Sequence, residues 1–192
     1  MAHTSLNHEY NEEERTILLD WAKASIEYGL EAGKPISPDL SLFPEKFSEL
    51  RATFVTLEKH KRLRGCIGTL EAIRPLLEDV TQNAFAAAFN DPRFPPLQRN
   101  ELDNLAIHIS ILSPAEPMTF SSEQDLIAQL RPGIDGLILE DRGRRGTFLP
   151  SVWESLPNPE DFLAHLKLKA GLPESYWSNT LKIYRYTTEM ID

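Results

Sequence analysis

The sequence predicts an α+β fold, with strands and helices in blocks instead of strict alternation. Three observations carry this. Residues 52–70 and 133–154 each hold two β-branched and aromatic runs around a charged tip, as a hairpin does. Each is followed by a helical apolar pattern and then by a further alternating run, so a hairpin-helix-strand order occurs twice. The regular long crossover helices of a Rossmann sheet are missing. Two such repeats with flanking helices, in one domain spanning residues 1–192, are the expected architecture.

The elements follow in chain order. Ile17, Leu18, Trp21, Ala24 and Tyr28 recur at three- and four-residue steps, one face of an amphipathic helix over 10–28 that Gly29 and Gly33 close. Glu9, Glu12, Glu13 and Glu14 complement the positive end of its dipole. Pro35, Pro38 and Pro44 forbid a continuous helix through KPISPDLSLFPEKFSELR and favour an extended strap with a short helical turn. In ATFVTLEKHKRLRGCIGTL one strand runs from Phe54 to Glu58 and the other from Leu63 to Leu70.

Pro75 suits the first turn of a helix in which Leu76, Leu77, Val80, Ala84, Ala87 and Ala88 share a face small enough for close approach. The prolines of DPRFPPL make a shaped loop, and LAIHISILS returns as a strand with Ile107, Ile109 and Ile111 alternating against His108 and Ser110. Ser121 or Ser122 caps a short helix bearing Leu126, Ile127 and Leu130. The second repeat is GIDGLILEDRGRRGTFLPSVWE as hairpin, PEDFLAHLKLKAGL as helix and LKIYRYTTEMI as returning strand.

Composition narrows the function. Apolar residues at 41% and charged residues at 26% describe a folded globular chain. A formal charge of -9 disfavours a protein devoted to gripping nucleic-acid phosphates. The two hairpin tips nevertheless carry four and three of the twenty basic residues, a local anion patch if they converge and solvated tips otherwise. One cysteine allows no internal disulfide, MAHTSLNHEY has no leader pattern, and no apolar run approaches the ~18 residues of a membrane span. A cytoplasmic protein is expected. Without metal-ligand spacings, a dinucleotide fingerprint, a phosphate loop or a serine elbow, neither metal nor cofactor is expected.

The candidate chemistry lies in RLRGCIGTL. A lone cysteine on a strand commonly packs as a small apolar residue. Gly65 and Gly68, however, imply a bulge, a tight bend or close approach of a ligand or another backbone, any of which lifts the thiol of Cys66 out of a plain ladder. Arg64 lies two residues away, on the same face if pairing is regular, where its guanidinium favours thiolate. A thiol nucleophile wants a base, and His60 or His108 is preferred to the helical His165. Asp91 and Arg93, stiffened by proline, display an acid and a guanidinium that would rim a Cys66 cleft or simply end the helix.

LRGCIG at 63–68, DPRFPPL at 91–97, TFLPSVW at 147–153, FLAHLKLKAGL at 162–172 and Trp177 together resemble the AMMECR-domain family, whose bacterial and archaeal members are called AmmeMemoRadiSam system protein A. The resemblance runs from about Thr16 to Tyr186 and departs at Ser151, where glutamine is expected. It implies a large curved sheet, mixed or antiparallel, built of two β-rich repeats with a cleft between a larger and a smaller portion. It also implies company: a MEMO-type protein and a radical S-adenosylmethionine protein, the latter holding the cluster and the radical chemistry. The family supplies no established reaction, so the matching residues carry over as motif positions.

The leading expectation is a component of such a multi-protein modification system, binding or covalently holding a small-molecule or peptide substrate around Cys66. Gly65, Gly68, Asp91 and Arg93 would then contact substrate, with Arg64, His60 and His108 as catalytic candidates. A scaffold domain without chemistry, and RNA or nucleotide binding through the basic tips, are the alternatives.

Overall fold

A computed structural model describes residues 9–192; the leader-free reading of positions 1–8 lies outside them. Four α-helices, α1 (Glu12–Ala32), α2 (Leu76–Phe89), α3 (Glu123–Gln129) and α4 (Pro159–Lys169), accompany eight strands. The strands are β1 (Ala52–Lys59), β2 (Arg62–Gly68), β3 (Leu105–Leu112), β4 (Glu116–Pro117), β5 (Gly136–Asp141), β6 (Arg144–Phe148), β7 (Lys182–Tyr186) and β8 (Thr188–Ile191). They divide between two four-stranded sheets, ordered β2-β1-β3-β8 and β4-β7-β5-β6. The chain is accordingly α+β, in two compact units: residues 9–112 with Glu189–Asp192, and Ser113–Thr188.

The repeat is legible in the strand order. In each unit the hairpin lies with its first strand central, its second strand at one edge and the returning strand on the other side, joined by antiparallel pairing. Each returning strand is followed directly by a short strand that belongs to the other sheet: β4 after β3, and β8 after β7. LKIYRYTTEMI, expected as one strand, is therefore interrupted at Thr187.

In the first unit α1 starts on Asn11, whose side chain accepts from the Glu14 amide while Glu14 reaches back to the Asn11 amide. It runs past Gly29, where any Cβ would meet the rings of Phe85 and Phe89, and ends on left-handed Gly33. The strap holds two 3-10 turns, Leu40–Leu42 and Glu45–Ser48. Val55, Leu57, Ile109 and Ile111 bury one sheet face against Leu18, Ile26, Leu77, Val80 and Ala84 of the two long helices. Asp79, fully buried in the first turn of α2, accepts from the Thr53 amide (2.9 Å) and hydroxyl (2.7 Å), Arg74 (2.7 Å) and Asn83 (2.9 Å). That satisfied carboxylate pins the start of α2 to the base of the hairpin.

The second unit packs α4 on its own sheet. Trp153 stacks on Phe162 at 3.7 Å and 6° and donates its indole N–H to the Asp135 carbonyl at 2.7 Å. No described helix is long and apolar enough to cross a membrane.

Candidate functional site

The face of the first sheet opposite α1 and α2 is where the polar beat of each strand falls. Thr53, Val55 and Leu57 of β1 are buried, so Phe54, Thr56 and Glu58 take the other face. Thr56 is in register with Cys66 on one side and His108 on the other, which sets the three side chains in a row across three strands. The Thr56 hydroxyl and the Cys66 Sγ lie 3.3 Å apart. His108 Nε2 stands 3.7 Å from the Glu58 carboxylate. Two strand spacings of about 4.8 Å separate the backbones of Cys66 and His108, with Thr56 between them.

Cys66 reaches this row because of a bulge. Lys59 pairs with Arg62 and Glu58 with Leu63, flanking a two-residue turn in which His60 (φ 52) and Lys61 (φ 59) are both left-handed. Regular continuation would set Cys66 opposite Val55, on the buried face. Instead Leu57 pairs with Gly65, so Arg64 is an extra residue, and Cys66 shifts to Thr56. One inserted position turns a core cysteine into one that is half-buried on the polar face.

The bulge also explains Gly65. Facing α2, a Cβ there would come within 2.1 Å of the Ala87 carbonyl oxygen. Gly68 lies on the thiol's face, but the Phe54 ring occupies the space beside it, 2.3 Å from where a Cβ would stand. The glycines thus admit a helix and a ring, which is reason enough for both without a ligand.

Arg64, expected on the thiol's face of a regular ladder, falls instead at the register shift. Its guanidinium is buried and donates to both Glu101 oxygens at 3.0 Å and to the Pro95 carbonyl at 3.0 Å, so its charge is spent on the segment following α2. Arg64, with the Gln98 amide and Lys59, lowers the Glu101 carboxyl to about 2. His60, in the turn, is four residues and roughly 13 Å of strand beyond Thr56, outside the thiol's reach.

Asp91 and Arg93 do meet Cys66, through its backbone. Strand β2 is a sheet edge, and the Cys66 amide donates to Asp91 Oδ2 at 2.9 Å while Arg93 donates to the Cys66 carbonyl at 3.2 Å. Arg93 also grips Asp91 through two guanidinium nitrogens, at 3.0 and 2.7 Å. The pair imitates an adjoining strand and closes the edge where the thiol sits. The Arg93 hydrogen bond, aided by the Cys66 and Arg93 amides, holds the Asp91 carboxyl well below the ordinary carboxylate range, and Asp91 in turn raises Arg93.

Thr56, Glu58 and Glu101 were not singled out by sequence reasoning. Thr56 and Glu58 share a parity along β1 that alternation shows, but which face Cys66 takes depends on the bulge.

The second hairpin provides a control. Gly146 pairs with Leu139 and lies against Ala170 just past α4, as Gly65 pairs with Leu57 against Ala87. Its register has no shift, and Thr147 follows the glycine where Cys66 does in the first repeat, its hydroxyl donating to the Leu137 carbonyl at 2.8 Å. The first repeat alone pairs a thiol with a bulge.

Comparison with known proteins gives a family model described as AMMECR1 that matches residues 19–191. Protein MJ0810 of Methanocaldococcus jannaschii is 40% identical over 188 residues, 94% of this chain and 90% of that protein. A Thermotoga maritima protein is 43% identical over 171 residues, covering 88% and 93%. The crystal structure of uncharacterized protein PH0010 from Pyrococcus horikoshii superposes with a TM-score of 0.84 at 35% identity, covering 95% of this chain and 93% of that one.

Proposed function

The chain belongs to the AMMECR1 family, and we propose that it binds or covalently holds a substrate at Cys66 as one component of a multi-protein modification system. The observation that carries this reading is the bulge at Arg64, which presents Cys66 on the polar sheet face while Asp91 and Arg93 hold its backbone. A cysteine serving the core alone gains nothing from either device.

Thr56 orients the thiol, and His108 with Glu58 is the base next along the row. Covalent capture needs no redox partner. The S–H adds across a polarised double bond of the substrate, the S–C bond forms as the π bond opens, and the thiol proton ends on the far atom. The MEMO-type and radical S-adenosylmethionine proteins implied by the family resemblance would act on the held substrate, so cluster and radical chemistry stay with the partner.

The test is an anaerobic incubation of wild type and Cys66→Ser with both partners, followed by intact-mass and peptide analysis. An adduct on Cys66, absent from a Cys66→Ser protein of unchanged circular dichroism, is the expected result. A thiol that alkylates only after denaturation, or equal turnover with both proteins, ends the proposal. Loss of complex formation in Arg93→Ala with Cys66→Ser unaffected would make the same surface a docking face.

A further inference from the structure

The tip of the second hairpin gathers charge that neither the core nor the Cys66 row uses. An open pocket of about 330 Å³ lies there, lined by Glu140, Asp141, Arg142, Arg144, Arg145 and Lys182 together with Gly143 and Thr180. Both acids are already engaged. Buried Asp141 accepts from the hydroxyls of Ser178 (2.7 Å), Thr180 (2.6 Å) and Tyr176 (2.6 Å). Glu140 pairs with its cross-strand neighbour Arg145 at 3.2 Å.

The other three cations are less committed. Arg144 donates to the Gly171 carbonyl, a neutral partner. Lys182 stands in register with Glu140 on the side away from Arg145. Arg142 and Lys182 are exposed and form no ion pair among the described residues. The wall therefore carries four cations against two acids, in a chain whose formal charge is -9. A local surplus of this sign, against the charge of the whole, concentrates anions at one place.

We infer that this pocket binds a small ligand through a phosphate group. Guanidinium forks match phosphate oxygens in paired hydrogen bonds, and a lysine adds a point charge beside them. Forked donors beside a point charge match the several oxygens of a phosphate better than a single carboxylate. The volume lies at the small end of ligand sites. The frame is held: three hydroxyls fix Asp141 at the end of β5, and Arg142 (φ 47) with Gly143 (φ 80) makes the tight turn that places the cations. The inference is independent of the Cys66 reading.

The test is calorimetric titration of the full chain at low salt with pyrophosphate, and with citrate as a carboxylate of similar charge. Saturable one-to-one binding of pyrophosphate, weakened roughly tenfold or more in Arg142→Asn/Lys182→Gln, is expected from losing two charge-assisted contacts. Asparagine tolerates the left-handed turn and both positions are exposed, so the variant should keep the wild-type melting temperature. Lys34→Gln, exposed and remote in sequence, should bind as wild type does. Absence of saturation, undiminished binding by the double variant, equal loss in Lys34→Gln, or equal affinity for citrate overturns the inference. So does tighter binding of a short single-stranded RNA that the double variant abolishes, which would assign the patch to nucleic acid.

Discussion

Arg64 decides which way Cys66 faces, and Asp91 keeps it there. As the extra residue of the bulge, Arg64 shifts the register by one and buries its own guanidinium on Glu101 and the Pro95 carbonyl. Asp91, 4% exposed, then accepts from the Cys66 amide and from Arg93 with its two oxygens. Asparagine at this position has one acceptor oxygen and brings a donor toward donors. Asp91→Asn should therefore cost about 2 kcal/mol in urea unfolding at neutral pH, the scale of a lost buried charge-assisted bond. The Cys66 amide should exchange with solvent faster in the same variant. Unchanged stability and unchanged exchange would mean the edge closes without the carboxylate.

At the scale of elements, the hairpins and helices were legible because alternation and helical spacing are local properties, and the small face of α2 correctly announced a close approach. What the small face approaches is Gly65, through the Ala87 carbonyl. Gly65→Ala puts a methyl 2.1 Å from a backbone oxygen that cannot rotate away, so helix or hairpin must move. A loss of about 3 kcal/mol, the upper part of the overpacking range, is expected in denaturant unfolding. Gly146→Ala, 2.9 Å from the Ala170 nitrogen, should cost less, and the reverse order would show that the two glycines do not serve the same contact.

The bulge itself was less legible. Gly65 admits it, but the decision is made by nonlocal packing on α2 and by the Arg64–Glu101 pair, which lie 37 positions apart. Arg64 stands beside the thiol only on a regular ladder, and the distance of His60 from the thiol is set by a two-residue turn made without glycine. The break at Thr187 has no turn signal either, since β7 and β8 stay extended on both sides and differ only in which sheet they join.

For the whole molecule, the two repeats share strand order and the glycine-to-helix contact but divide their chemistry, a thiol row in one unit and a cationic pocket in the other. Each unit also contains a carboxylate that folding makes more acidic. In the first, Arg64 lowers Glu101 from 4.5 to about 2. In the second, the Ser178, Thr180 and Tyr176 hydroxyls lower Asp141 from 3.8 to about 2. A folded-state value below the unfolded one means the unfolded chain binds the proton first. The associated stability is therefore complete above the unfolded value and is lost as the pH falls through the folded one. Both units should weaken together between roughly pH 4.5 and pH 2. Glu101→Gln removes one titrating group, so it should be less stable at neutral pH but lose stability less steeply on acidification, by up to about 1.4 kcal/mol per pH unit. Urea unfolding across that range measures the slope, and hydrogen exchange in β2 and in β5–β6 assigns it to a unit. Asp141→Asn should flatten only the second unit's response. A Glu101→Gln slope equal to that of wild type would mean that Arg64 is held by packing alone, and that the bulge presenting Cys66 does not depend on the ion pair behind it.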